Sequence, residues 1–467
     1  MEKMLKKITG FVLLMLVACP LSRANSSPGQ KRPNIIIIMA DDLDSRQLSC
    51  YGGQNIQTKN IDALVDQGLK FNSIIASEAM CVPTRASLFT GLYPVKHGAY
   101  QNHKPVYGDL KSVVHYLNDA GYRVGLTGKD HVTKPISVFP FDRVPGFQPN
   151  CVAKTDDYTL DSVKHYITQS DPFCLFIMSI NPHAPWTVGD PSEFDPATLK
   201  LPPHWVDTEL TREQFCKYLA EVRQLDNQVG DIMQLLKEVG AEENTIVIFL
   251  GEQGPQFPGG KWNLYDNGQK SSMIVRWPKK VKAHTETDAI IQYEDITPTL
   301  IDIVGGKPIA GLDGLSFKSV LQGRKTAHRE VAYGIHNNIP EGPPYPIRSI
   351  RDHHYKLIRN LKSDDNYYIK YMMNTQNDQL AWTTWIRKAA HNEQAKKLTE
   401  RIAHRPPLEL YDIQKDPYEL KNLADNPAYH TVVEKYTEQL NAWMTTQGDK
   451  GAALDKPIKN AKNKHER

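Results

Sequence analysis

The sequence predicts an α/β fold: a doubly wound, mostly parallel sheet followed by a smaller C-terminal α+β domain. Three observations predict it. Apolar, β-branched runs recur as far as Leu250. Helical patterns lie between those runs, which is the alternation that builds parallel sheets. A Pro/Gly-rich stretch, Pro340 to Pro346, then separates them from a differently patterned C-terminal part.

The first run, Asn34 to Met39, leads into Asp41-Asp42. A helical pattern follows over Ile61 to Gly68, and a second over Leu110 to Ala120. Tyr122 to Leu126 is the next strand and leads into Lys129-Asp130-His131. Phe173 to Ile180 leads into Asn181-Pro182-His183. The longest helical pattern spans Arg212 to Val239, and Thr245 to Leu250 then leads into Glu252-Gln253. Continuous apolar runs, unlike alternating ones, fit strands covered on both faces. In such sheets ligands bind beyond the carboxyl ends of the strands. All four runs end in charged or polar residues, which points to one shared polar site. This domain is expected over residues 32–340. The C-terminal domain, residues 346–447, has a strand or hairpin at Arg348 to Ile358, a short strand at Glu409 to Asp412 and an amphipathic helix at Tyr429 to Met444. Asp364 to Arg405 reads as polar and helical in part, and residues 448–467 as a mobile, Lys-rich basic tail.

Length and composition bound the function classes. The chain has 467 residues, 40% hydrophobic and 23% charged, as in ordinary soluble globular proteins. That excludes collagen-like, disordered and disulfide-stapled classes. Residues 1–24 read as an export signal: Lys3, Lys6 and Lys7 precede an apolar run, Ile8 to Ala18, too short to span a bilayer. Two cleavage readings remain open. Leu16-Val17-Ala18-Cys19 matches a bacterial lipobox, with Cys19 lipidated, and Ser22-Arg23-Ala24 is a small-x-small site. Both place the protein outside the cytoplasm, in the periplasm or at the cell surface, with a membrane association only through a lipid on Cys19. The formal charge of +3 falls to about neutral when this segment is removed, which gives nucleic-acid binding no support. Beyond Cys19, the cysteines Cys50, Cys81, Cys151, Cys174 and Cys216 form no CxxC pair and no zinc pattern. Cys174, inside an apolar run, reads as a small buried hydrophobe.

The sharpest signal is Cys81-Val82-Pro83-Thr84-Arg85, with Ser87 to Gly91 and Tyr93 to Gly98 behind it. On these residues the chain resembles the type I sulfatase family of the alkaline phosphatase superfamily. The resemblance extends over Pro33-Asn34-Ile35, Ala40-Asp41-Asp42, Thr127 to His131, Asn181 to His183, Gly251 to Gly254, Lys261 to Tyr265 and Glu409 to Glu419. Within the family it is most similar to the heparan N-sulfatase (sulfamidase) branch, through Gly128 to Val132 with Val138 to Asp142, and Tyr345 to Ser349 with His354 to Asn360.

The resemblance implies an alkaline phosphatase-like fold and a sulfatase acting on a sulfated carbohydrate. The substrate class is an oligosaccharide from a polysaccharide such as ulvan or heparan/glycosaminoglycan, with O- or N-sulfate. It implies that a formylglycine-generating maturase converts Cys81 to formylglycine, whose hydrate is a geminal diol with one hydroxyl as nucleophile. Arg85 and Lys129 would hold that diol and offset its developing charge. Asp41, Asp42, Glu252, Gln253 and the diol of residue 81 would bind one metal ion. All-oxygen donors suit Ca²⁺, and Mg²⁺ less well, whereas a paired zinc site would need more histidines. His183 would contact the sulfate and protonate the leaving oxygen or nitrogen, and His131 would accept a proton during sulfate release. Lys261 would bind a sulfate oxygen. His103, His336 and Arg348 are substrate-side candidates by their place near predicted loops. The chain departs from the family at two places. Glu252-Gln253 stands where the family usually has Asp-Asn or Asp-His, each side chain one methylene longer, and Lys261 stands where the sulfamidase branch tends to have Arg. Two alternatives accompany this reading: a phosphonate or phosphodiester hydrolase of the same superfamily, and a non-catalytic carbohydrate-binding lipoprotein.

Overall fold

The computed structural model describes residues 31–132, 134–169 and 172–455. The export segment with Cys19, and residues 456–467, lie outside the described residues. From Pro33 onward the described chain forms one compact unit.

The main sheet contains β1 (Asn34–Met39), β2 (Leu69–Ile75), β3 (Arg123–Gly128), β4 (Asp142–Arg143), β5 (Phe173–Met178), β6 (Thr245–Leu250), β7 (Lys270–Arg276), β8 (Thr285–Thr287) and β9 (Ile291–Gln292). Its order is β4-β3-β5-β1-β6-β7-β2-β8, with β9 also on β2. The four strands read from the sequence, β3, β5, β1 and β6, are consecutive neighbours, and every pairing among them is parallel. Their alternate residues feed two separate cores. Ile36 and Ile38 pack on one face with Leu175, Ile177, Val247 and Phe249. Ile35, Ile37 and Met39 pack on the other with Phe176, Met178 and Leu250. Burial on both faces is why these strands are continuously apolar. Cys174 is fully buried among them, as expected.

The sequence did not reveal β2 and β7. Lys70, Asn72 and Ser73 interrupt β2, which also carries a register shift between Phe71 and Ile74, and Ser271-Ser272 interrupts β7. The expected helices form at Lys59–Asp66, Val113–Asp119 and Glu209–Glu238. Among the described residues no helix is long and apolar enough to cross a membrane.

A second sheet is antiparallel: β10 (Ala332–His336), β11 (Ile347–Arg351), β12 (Tyr355–Asn360) and β13 (Leu408–Asp412), in that order. β10 precedes the Pro/Gly-rich stretch. One face packs Ile350, Leu357 and Leu410 against Tyr436, Leu440 and Trp443 of the helix His430–Gln447. The partly helical stretch resolves into Lys370–Met373, Ala381–Ala389 and Glu393–Ala403. The basic tail expected to be mobile from residue 448 is packed as far as Asp455. Asp449 holds the buried Arg348, and Tyr100 Oη donates to the Leu454 carbonyl at 3.1 Å.

The carboxyl ends of the central strands are tied crosswise. Ala40 N–H donates to the Leu250 carbonyl, Asp41 N–H to Asn181 and Lys129 N–H to Met178, at 2.8–2.9 Å. Gly128 makes the last contact possible. Its φ is +84°, and a Cβ there would sit 2.1 Å from the Met178 oxygen. Gly128→Ala is therefore expected to cost about 2–3 kcal/mol in urea unfolding, through the left-handed backbone and the clash together.

Candidate active site

The central side chains meet where those strand ends meet. Cys81 opens the helix Cys81–Thr90, whose ten residues are all buried. A helix buried on every side carries no amphipathic period, so the sequence pattern was silent about it. Pro83 falls in the first turn, where a missing N–H costs nothing. Arg85 lies four positions after Cys81, which puts both on one face of this helix. The Cys-x-Pro-x-Arg spacing is thus a geometric requirement.

Around Cys81 three buried carboxylates face three buried cations. Lys129 Nζ contacts Asp41 Oδ2 at 2.5 Å, Lys261 Nζ contacts Asp42 Oδ2 at 2.7 Å, and Arg85 Nε contacts Glu252 Oε1 at 2.5 Å. Arg85 also reaches the Lys129 carbonyl at 3.0 Å and lies 3.7 Å from Asp41. Cys81 Sγ is 3.7 Å from Asp41 Oδ1 and 3.4 Å from Gln253 Nε2. Burial works against charge on Lys129 and Lys261, but Asp41 and Asp42 outweigh it and raise both ammonium groups above their ordinary range. Asp41 and Glu252 separate: burial pushes both up, Lys129 draws Asp41 well below the carboxylate range, and Glu252, despite Arg85, sits well above it because Asp41 adds repulsion.

The residues fit a hard divalent cation. Ligand atoms of Asp41, Asp42, Cys81 and His183 all lie within 4.8 Å of one another. Gln253 donates from Nε2 to Asp42 Oδ1 at 2.6 Å and to Glu252 Oε2 at 2.9 Å, while its buried Oε1 has no hydrogen-bond partner. An orphaned amide oxygen beside two carboxylates is what a cation would satisfy. Glu252 is outside that compact group and is engaged by Arg85 and Gln253.

The histidines differ in their settings. His183 Nδ1 faces the Ala184 carbonyl, which can only accept, so Nδ1 carries the proton and Nε2 is the exchangeable nitrogen. That Nε2 is 3.6 Å from Asp42 Oδ2. Burial, then Lys261, lowers His183 from its ordinary range. His131 has a positive φ of 38° and a buried Nδ1 without a partner, and burial followed by Lys129 pushes it far down. Its ring meets His103 edge-on at 5.1 Å.

A cleft of about 2040 Å³ opens above this cluster, lined by Cys81, Lys129, His131, His183 and Lys261. His103 lines it too, 3.5 Å from Glu341. The structure does not bring His336 or Arg348 to it. Both are fully buried. Burial lowers His336 to about 3, and its Nε2 pairs with Asn338 Oδ1 at 2.9 Å. Arg348 is clamped by Asp449. The register pairs Ile335 with Arg348 and His336 with Ile347, so the two side chains leave opposite faces of the sheet and each is covered there, which their proximity to loops in the sequence did not convey. Residues not singled out in advance complete the walls: Asn102, Cys151, Trp262, Glu341, Lys370 and Tyr371. Only Trp262 had a signal, its place beside Lys261.

Removing one partner from a buried ion pair leaves an uncompensated charge, at about 3–5 kcal/mol. Glu252→Ala is expected to lose stability of that order in metal-free denaturant titration, because Arg85 keeps only the Lys129 carbonyl and a distant Asp41.

Comparison with known proteins finds relatives over most of the chain. A family model described as "Sulfatase" matches residues 33–306, and one described as "N-sulphoglucosamine sulphohydrolase, C-terminal" matches residues 259–406. An ulvan-active sulfatase of Formosa agariphila is 34% identical over 436 residues, covering 91% of this chain and 82% of that protein. Human N-sulphoglucosamine sulphohydrolase is 28% identical over 471 residues, covering 88% and 89%. A structure solved in complex with its substrate D-glucosamine-2-N,6-O-disulfate superposes with a TM-score of 0.70 at 21% identity, covering 91% of this chain and all of that one.

Proposed function

The chain belongs to the sulfatase family and is a sulfuric ester hydrolase, and from that premise we propose that it removes O- or N-sulfate from an oligosaccharide of a sulfated polysaccharide such as ulvan or a heparan-type glycosaminoglycan. One observation carries the reading. Cys81, three buried cations and two histidines converge at the floor of a cleft large enough for more than one sugar.

Formylglycine at position 81 would supply a hydrated-aldehyde hydroxyl as nucleophile, and Asp41, Asp42, Gln253 and residue 81 would hold Ca²⁺, which would supply Lewis acidity, with Glu252 as the further expected ligand once released from Arg85. The chain's own groups do the rest. Lys129 and Arg85 both act electrostatically on residue 81 and would offset negative charge developing there. Lys261 has two ammonium hydrogens beyond its contact with Asp42 and donates them to a sulfate oxygen. His183 would take up a second proton from solvent at Nε2, beside Asp42, and as the imidazolium deliver it to the leaving oxygen or nitrogen. His131 would accept a proton as sulfate departs, with the negative charge of the departing group offsetting the burial and Lys129 that lower its affinity for one.

Two segments of the C-terminal half, the turn at Pro340-Glu341 and the short helix Lys370–Met373, wall one side of the cleft. That wall supports exo action at a chain end. We assign residues 32–340 to the catalytic domain, with β10 lending an edge to the sheet of the C-terminal domain at 346–447. Export to the periplasm or cell surface, through residues 1–24 and with lipid on Cys19 as one route, completes the proposal.

Two experiments test it. Protein co-produced with the maturase should carry the aldehyde form of residue 81 in peptide mass spectra and release sulfate from at least one member of a panel of defined sulfated oligosaccharides. Cys81→Ala should lower kcat/KM at least about a thousandfold with an unchanged melting curve. Thiol throughout, or near-native activity of the variant, contradicts the assignment. Chelator treatment should abolish turnover and Ca²⁺ should restore it; a metal-free preparation with full activity removes the metal from the account.

A further inference from the structure

A chain of ring contacts leads from the reaction centre to the rim of the cleft. Lys261 Nζ lies 4.7 Å from the centroid of the Trp262 ring. Trp262 stacks on Tyr371 at 6.3 Å and 29°. Lys370 Nζ lies 4.7 Å from the Tyr371 centroid. The Trp262 backbone is held firmly: its main-chain N–H donates to the Ala79 carbonyl at 2.9 Å, its carbonyl accepts from Tyr367 Oη at 2.7 Å, and its φ is +69°. A non-glycine residue held in the left-handed region needs surroundings that enforce it, and such residues cluster at functional sites. Trp262 itself is 3% exposed, whereas Tyr371 is 52% exposed in the cleft. The buried ring therefore fixes the exposed one as a platform.

The charge around this platform is one-sided. Beyond Lys129 and Lys261, the cleft is lined by Lys134, Lys217 and Lys370, none with an ion pair among the described residues. The carboxylates in the lining are Asp130, engaged by Arg143 at 3.0 Å, and Glu341, engaged by Asn102 at 2.6 Å. Low-dielectric walls carrying one sign of charge focus the field on a ligand of the opposite sign.

We propose that Tyr371 and Lys370 form an outer subsite that stacks a second sugar ring and pairs its anionic group, a carboxylate or a second sulfate, while the first ring presents its sulfate to residue 81. The subsite rests on the sulfated-carbohydrate reading and narrows it to polyanionic oligosaccharides. The ring supplies apolar contact, and the lysine supplies selection for charge. Asn102 and Glu341 lie on the inner side and are not part of it.

The test uses the mature, formylglycine-bearing enzyme with N-sulfated glucosamine alone and linked to a neutral sugar, to a uronate or to a sulfated sugar. Tyr371→Ala should lower kcat/KM about tenfold on every linked substrate and leave the monosaccharide unchanged. Lys370→Gln should act only on the anionic ones, and the uronate and sulfate arms show which anion it prefers. Raising salt should weaken the same preference. Equal losses on monosaccharide and linked substrates, or none, overturn the subsite. Should the wild type release no sulfate from any of them, the sulfatase reading for this sugar fails separately. Saturation-transfer NMR with an unsulfated uronate disaccharide then decides the subsite: signal in the wild type that is lost in Tyr371→Ala supports it, and signal equal in both, or absent from both, contradicts it.

Discussion

Three buried carboxylates and three buried cations, all at the carboxyl ends of one parallel sheet, are the constraint on which the rest of this structure depends. Desolvating six ionisable groups together is costly unless each finds a partner. Asp41 with Lys129, Asp42 with Lys261 and Glu252 with Arg85 meet that requirement. The pairings join residues far apart in sequence, so the strands must end at the same level. The crosswise bonds among Ala40, Asp41, Lys129 and their neighbouring carbonyls hold them there. Fully buried apolar strands supply the rigidity beneath, and the chemistry occupies the ends.

Much of this was legible in the sequence because the central strands are continuous apolar runs that break abruptly into charge. Strands with internal polar residues, such as Leu69–Ile75 and Lys270–Arg276, left no such mark. The helix that carries Cys81 has no apolar face to read because all of its faces are buried. Of the site, the acids and cations at strand ends were legible individually, but their pairing was not. Glu252 bonds a side chain 167 positions away. Arg348 illustrates the opposite failure. A charged residue near a loop suggested substrate contact, yet it is satisfied by Asp449 from beyond the last long helix.

The cleft walls were the least legible part. Lys370 and Tyr371 come from a short helix and Glu341 from a turn, none with a motif, and only the packing of the C-terminal half brings them over the sheet ends. The reaction centre is set by the main sheet, where the family resemblance is densest. The proposed outer subsite lies on these wall segments, which is where relatives with different substrates have room to differ.

The account's central claim is that the acids serve a cation and the lysines serve an anion, and that the two roles are coupled. Lys129 and Lys261 now face Asp41 and Asp42. A divalent cation on the carboxylates would leave the ammonium groups free to hold sulfate, and bound sulfate would favour the cation in turn. Calorimetric titration of Ca²⁺ with and without saturating inorganic sulfate measures this directly. Coupling is reciprocal by thermodynamic necessity. The account predicts Ca²⁺ affinity about tenfold tighter in sulfate, with sulfate tighter in Ca²⁺ by the same factor. Independent or mutually weakened binding would contradict it.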